Sequence, residues 1–196
     1  MHSKEVHSKY ALQIFIFNLN NMFKQHRPPH YYFDNKIYFI TARTIEKKKF
    51  FNTEEKKSLL KKIIKEAGDK FQISFYAWII LDNHYHLLLN VSQGKLLPAF
   101  IKAINGKSSF LLNKIDKTEK RKIWFNYWDR CIRSEKDFWV RFNYIHHNSV
   151  KHKYAKKMED YQFSSYNNWI KKESADWIND VFEKYPIIDF TADGDE

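Results

Sequence analysis

Residues 84 and 86 are both histidine, in the run Asn83-His-Tyr-His-Leu-Leu-Leu-Asn90. Alternate residues of a strand project to one face, so both imidazoles would enter the same space. Leu87 to Leu89 is too apolar for a loop and reads as a buried strand, which gives the pair a rigid support. Two neutral imidazoles on one strand face are a starting point for a divalent-metal site. With no further element, packing or hydrogen bonding would explain them better.

A second element lies over residues 134–148. Ser134, with Asp137 three residues on, is a capping-box-like helix start. Phe138, Phe142 and Ile145 form an apolar stripe at helical spacing, and Asp137, Arg141, Tyr144 and Asn148 lie on a different face. Tyr144 and Asn148 are one turn apart. A phenol on a helix, an amide one turn later and a histidine pair on a strand together suggest phosphodiester chemistry.

The remaining chain must position these groups. Ile37–Thr44 is a β-branched and aromatic run, hence a strand. Thr53 caps a helix carrying Leu59, Leu60, Ile63, Ile64 and Ala67, with Gly68 as its expected stop. Phe71–Leu81 reads as a long strand, and Asp82-Asn83 as a tight turn into the histidine strand, which makes that pair antiparallel. A helix is expected over Pro98–Asn113, an aromatic run over Ile123–Trp128 and a short helix over Ala175–Lys184. Residues 1–30 read as an N-terminal extension open to disorder, with Met22 an equally good start. Residues 31–171 read as one domain, and 172–196 as a C-terminal tail with an acidic, disordered end.

At 196 residues the chain suits one domain with a full core, and 4 Gly and 4 Pro argue against long linkers. A formal charge of +11, with 6 Trp, 12 Tyr and 17 Phe, favours a nucleic-acid partner. Basic charge for phosphates beside aromatic faces for unstacked bases is the pairing that single-strand sites use. A Lys-rich proteome and a large aromatic core account for much of the same composition. The single Cys131 can form no internal disulfide, which fits the cytoplasm. No stretch approaches a membrane span, and Ala11–Phe17, interrupted after it by Asn18, Asn20 and Asn21 with no cleavage-type sequence, does not read as a signal peptide.

The segments Asn83-His-Tyr-His-Leu-Leu-Leu, Trp128-Asp-Arg-Cys-Ile-Arg-Ser-Glu-Lys-Asp-Phe-Trp139, Asn143-Tyr-Ile-His-His-Asn-Ser-Val-Lys-His152 and Phe163-Ser-Ser-Tyr166 resemble the single-tyrosine HUH transposases. Among these the REP-associated tyrosine transposase branch is most similar, from about Tyr38 to Trp169. The resemblance implies that His84 and His86 bind a divalent metal, Mg²⁺ or Mn²⁺, that Asn148 completes the site, and that Tyr144 is the nucleophile. Asn148-Ser149 stands where the family commonly has Asn-Pro, which leaves the helix end open. Tyr85, between the histidines, departs from the usual aliphatic residue and should face away.

The expected fold is α+β, a ferredoxin-like antiparallel sheet with helices packed on it, of the HUH endonuclease type. The expected function is metal-dependent nicking and rejoining of single-stranded or hairpin DNA through a 5′-phosphotyrosine, by a monomer or homodimer with no membrane partner. Lys107, Arg130, Arg133, Arg141 and Lys151 are candidates for phosphate contacts. Each alone is a solvated charge by default, but around the site some must line the DNA path. Asn148 could merely cap its helix, His146 and His147 read as solvated surface histidines, and the Lys47–Lys49 and Lys61–Lys62 runs as solvated faces. Tyr127, Tyr154 and Tyr161 compete with Tyr144, but none has an amide one turn later in a capped helix. Alanine at His84 is expected to spare the fold. One alternative is a nucleic-acid-binding protein on the same fold without catalysis. A cyclic phosphodiesterase would need a second paired motif that this chain lacks.

Overall fold

The computed structural model describes residues 32–190; the expected extension over 1–30 and the acidic end 193–196 lie outside them. Four strands form one sheet in the order β2-β3-β1-β4, every neighbouring pair antiparallel. They are β1 (Lys36–Thr44), β2 (Ser74–Ile80), β3 (His84–Val91) and β4 (Trp124–Cys131). Helix α1 (Glu54–Phe71) joins β1 to β2, and α2 (Leu97–Ile115) joins β3 to β4. This is the βαββαβ order of a ferredoxin-like α+β domain. Helix α3 (Glu135–Lys151) follows β4, and the short α4 (Tyr166–Lys172) and α5 (Ala175–Lys184) are the last helices among the described residues.

The two sheet faces do different jobs. Tyr38, Ile40, Ala42, Tyr85, Leu87 and Leu89 point to the side of α1 and α2, where Tyr85 Oη donates to Asn105 of α2 at 3.0 Å. Phe39, Thr41, Arg43, His84 and His86 point to the other face, where α3 packs on β2 and β3. Each face thus buries one half of an alternating strand pattern.

Helix α1 does not stop at Gly68. It runs to Phe71, and the left-handed residue is Gln72, with φ 55°. Gly68 is there for room, since a Cβ would collide with the ring of Phe75. A helix tolerates one such glycine at a cost of about 1 kcal/mol. The strand expected from Phe71 accordingly begins at Ser74.

The C-terminal segment belongs to the same core. Ile178 and Val181 of α5 are buried, and the Asn143 amide donates to the carbonyls of Val181 and Tyr185 at 3.1 and 2.7 Å. Val181 lies in the last turn of α5 and also accepts the Tyr185 N–H at 3.0 Å, so the Asn143 amide fastens the C-terminal end of that helix. Among the described residues no helix is long and apolar enough to cross a membrane.

Candidate active site

Strand β3 lies inside the sheet, and its hairpin turn closes with Leu81 N–H donating to the His84 carbonyl at 2.9 Å. His84 and His86 therefore share one face, their ring centroids 5.0 Å apart. Both are buried, His84 at 7% exposure and His86 at 0%. His84 Nδ1 lies 2.7 Å from Asn83 Oδ1, and Asn83 Nδ2 donates to the Lys47 carbonyl. That second bond fixes the amide, so Oδ1 accepts and His84 Nδ1 carries the proton. His86 Nδ1 bonds to Thr41 Oγ1 at 2.8 Å. This leaves His84 Nε2 as the lone-pair nitrogen, His86 Nε2 is the same when its Nδ1 donates to the Thr41 hydroxyl, and both Nε2 atoms are buried with no hydrogen-bond partner.

Burial, and after it the positive charge of His152, Lys151, Lys47 and Arg43, pushes His84 down to about 3. Burial holds His86 well below the ordinary 6.5 in the same way. Both imidazoles are therefore neutral at neutral pH, the form that binds a metal.

Helix α3 brings the second half. The Ser134 side chain accepts from Asp137 N–H at 3.1 Å, the expected cap, and the helix continues past Asn148 to Lys151. Val140 to His146, Asn148 and Ser149 are buried. Phe142 meets Trp169 of α4 and Trp177 of α5, while Tyr144 faces the sheet, 6.1 Å from Phe39 and 5.4 Å from His86 between ring centroids. Asn148 Nδ2 donates back to the Tyr144 carbonyl at 2.7 Å, leaving its Oδ1 buried without a hydrogen-bond partner. Asn148 therefore caps nothing at the helix end. It ties its amide to the turn that carries the phenol.

Two imidazole nitrogens and an amide oxygen, all buried and unsatisfied, fit a divalent cation of borderline hardness. Among the described residues no group of three His, Cys, Asp or Glu could hold an ion.

The site is covered. Tyr144 is 1% exposed, with the Phe190 ring at 5.0 Å and Lys151 Nζ 5.3 Å from its own ring centroid. Lys151 is ion-paired to Asp189 at 3.0 Å. Arg141 is buried between Phe39 and Phe190, at 4.6 and 4.1 Å from their centroids, and bonds to Asp137 at 3.1 Å. A ligand would meet the Tyr144 hydroxyl only once residues 186–190 had moved aside. A chain ending at Tyr185 keeps the bond to Asn143 and, if Tyr144 is the group that attacks DNA, should form adducts about tenfold faster, which corresponds to about 1.4 kcal/mol of cover. Single-turnover rates on hairpin DNA would measure it, and an unchanged rate would mean that the cover lifts freely.

The structure brings Arg141 and Lys151 to the site and leaves Arg130 exposed on the histidine face, across from Phe39. It does not bring Lys107, which sits on α2 behind the sheet and pairs with Glu66 at 2.6 Å. Arg133 is exposed near Ile37, at the other end of β1 from the residue facing His84. His146 is not a surface residue. It is fully buried, with Nε2 2.7 Å from Ser165 Oγ, and burial pushes it down to about 3. The competing tyrosines have other partners. Tyr161 donates to the Ile80 carbonyl at 2.7 Å, Tyr127 meets Tyr32 behind the sheet at 3.1 Å, and Tyr154 packs on Tyr161. Asn83, Thr41, Asn143 and Arg43 are additions that sequence spacing did not single out, and only the side-chain type and the turn position of Asn83 hinted at one of them.

The buried histidines carry a pH prediction. In the unfolded chain they take up protons near 6.5, in the fold only near 3 for His84 and His146, so the unfolded state binds more protons in between. Stability of the metal-free protein is therefore full above about pH 6.5 and lost as pH falls toward 3, on the order of a few kcal/mol by pH 4. Urea midpoints at stepped pH would show it, and a flat profile would contradict neutral burial.

Residues 32–148, which contain both histidines, Tyr144 and Asn148, match the family described as "Transposase IS200 like". The REP-associated tyrosine transposase of Escherichia coli (strain K12) is 26% identical over 164 residues, covering 77% of this chain and 90% of that protein. A solved REP-associated tyrosine transposase bound to a REP hairpin has a TM-score of 0.65 at 21% identity, over 76% of this chain and 88% of that one. At that identity the likeness speaks for the fold. The motif resemblance, the strand order and the matched span, more than half of the sequence, agree, and the chain belongs to the IS200-like family of DNA transposases.

Proposed function

We infer that this transposase nicks and rejoins single-stranded, hairpin-containing DNA through a 5′-phosphotyrosine at Tyr144, with His84, His86 and Asn148 holding a divalent ion, Mg²⁺ or Mn²⁺. The observation that carries the reading is the set of three buried, unsatisfied acceptor atoms on β3 and α3, the helix that also bears Tyr144. The bound ion would neutralise the non-bridging charge of the phosphodiester as a Lewis acid.

The chain's own residues do the rest. Tyr144 Oη attacks phosphorus in line, the bond from phosphorus to O3′ breaks, and the phenolic proton ends on the departing 3′-hydroxyl. One phosphoester replaces another, so a second 3′-hydroxyl can reverse the step and rejoin strands. Phenol ionises at about 10, so Tyr144 loses its proton as it attacks, with Lys151 Nζ 5.3 Å from the ring centroid. Asn83 fixes the His84 tautomer, Thr41 orients the His86 ring, and Arg141, Lys151 and Arg130 supply positive charge along the strand. Residues 31–171 would be the catalytic domain, acting in the cytoplasm as a monomer or homodimer.

Labelled single-stranded hairpin DNA incubated with the protein and Mn²⁺ should give an adduct that survives denaturation. DNA binding with no adduct under any divalent ion would favour a binding protein without catalysis. Affinity should fall steeply with salt and prefer hairpins with single-stranded flanks to plain duplex. An affinity that hardly changes with salt would remove the basic DNA path.

A further inference from the structure

We propose that Arg43, Phe125 and Trp128 form a nucleotide subsite beside the histidine pair, taking one backbone phosphate and one unstacked base of single-stranded DNA next to the bond that Tyr144 attacks. The proposal rests on the reading above and adds where the strand is held. Arg43 pairs in register with His84 on one side and Asn126 on the other, so it stands on the histidine face one strand away. Its guanidinium carbon lies 5.4 Å from the Phe125 centroid and 5.2 Å from that of Trp128. A register shift at Arg43/Thr44 sets Thr44 opposite Trp124, and the rings of Phe125 and Trp128 come within 6.3 Å of each other at a 36° tilt.

Three features point to a ligand here. Arg43 Nε is buried with no hydrogen-bond partner, and among the described residues Arg43 pairs with no carboxylate. A charged donor left in that state lacks an acceptor, and a phosphate oxygen is the acceptor a guanidinium fork matches. Phe125 and Trp128 are half-exposed on the outermost strand, so a base can reach their π-faces. Trp128 also lies opposite Thr41, which holds His86, and Arg130 opposite Phe39, which stacks on His86 at 5.4 Å. Asn126, Trp128 and Arg130 thus line the edge strand as a track beside the candidate metal ligands. A paired duplex offers no free base face to these rings, so the ligand is single-stranded.

The test uses the full chain with Mn²⁺ and labelled oligodeoxythymidine as probe. Arg43→Ala and Trp128→Ala should each weaken binding about tenfold, and Arg43→Ala should also lower the slope of log affinity against log salt by about 0.7. Arg43→Lys should keep the slope yet still lose affinity, because it keeps the charge and loses the planar fork. Mn²⁺ affinity, read by electron paramagnetic resonance, should not weaken in any variant. Iodouracil-substituted oligonucleotide, irradiated with the wild-type protein, should cross-link within residues 125–128. Wild-type affinity in all three variants, or cross-links elsewhere only, would overturn the subsite while leaving Tyr144 chemistry standing. A wild-type chain that binds Mn²⁺ but neither binds the oligonucleotide nor forms the hairpin adduct would instead remove the functional reading itself, and the subsite with it.

Discussion

Tyr144→Phe is expected to leave a folded, DNA-binding protein that forms no covalent adduct. The substitution removes one oxygen and almost no volume from a ring packed among Phe39, His86 and Phe190. Stability should therefore change by no more than about 1.5 kcal/mol, the scale of one hydrogen bond. Adduct formation should fall by at least about 10,000-fold, since loss of a nucleophile is not made up by binding alone. Mass spectrometry of a wild-type adduct should place the nucleotide on Tyr144. An adduct that persists in the Phe variant, or maps to Tyr154, Tyr161 or Tyr127, would show that α3 does not carry the reacting group.

The second large effect is expected at the histidines. His86→Gln should lower Mn²⁺ affinity by more than about 100-fold, beyond what loss of a supporting hydrogen bond alone would cost. Calorimetric titration of the metal reads this without any DNA, and wild-type affinity in the variant would exclude His86 as a ligand. Glutamine is chosen because alanine is not innocent here. The expectation that a ligand on a rigid strand can be truncated freely overlooks burial: His86 is fully enclosed and stacked on Phe39, so His86→Ala leaves a cavity. His84, near the strand's end at 7% exposure, is less enclosed but still interior.

What could be read from the sequence was what local pattern controls. The alternation in β3, the tight Asp82-Asn83 turn and the Ser134 cap each depend on a few neighbouring residues, and each is present in the fold. Gly68 misled because a glycine signals helix ends by its backbone freedom, whereas this one serves the distant Phe75. His146 looked like a surface residue beside His147 because nothing local reveals that Ser165 reaches across to it. Lys107 and Arg141 show the same limit for charge. One is carried behind the sheet, and the other is sealed between two aromatic rings by a segment some fifty residues later. Arg43 escaped notice for a similar reason, since its two rings lie on β4, across a strand pairing that spacing alone does not define.

The strand that carries the histidines is paired on both edges, with β1 and β2, whereas the covering residues 186–190 lie beyond the last helix. In amide hydrogen exchange the two should belong to different cooperative units. β3 should exchange only when the whole domain unfolds, and the C-terminal segment by small local openings of far lower free energy. The protein can then breathe at its entrance many times in the lifetime of one folded molecule without disturbing the spacing of its ligands. Access and geometry are set by separate equilibria, and a substitution can alter one while leaving the other untouched.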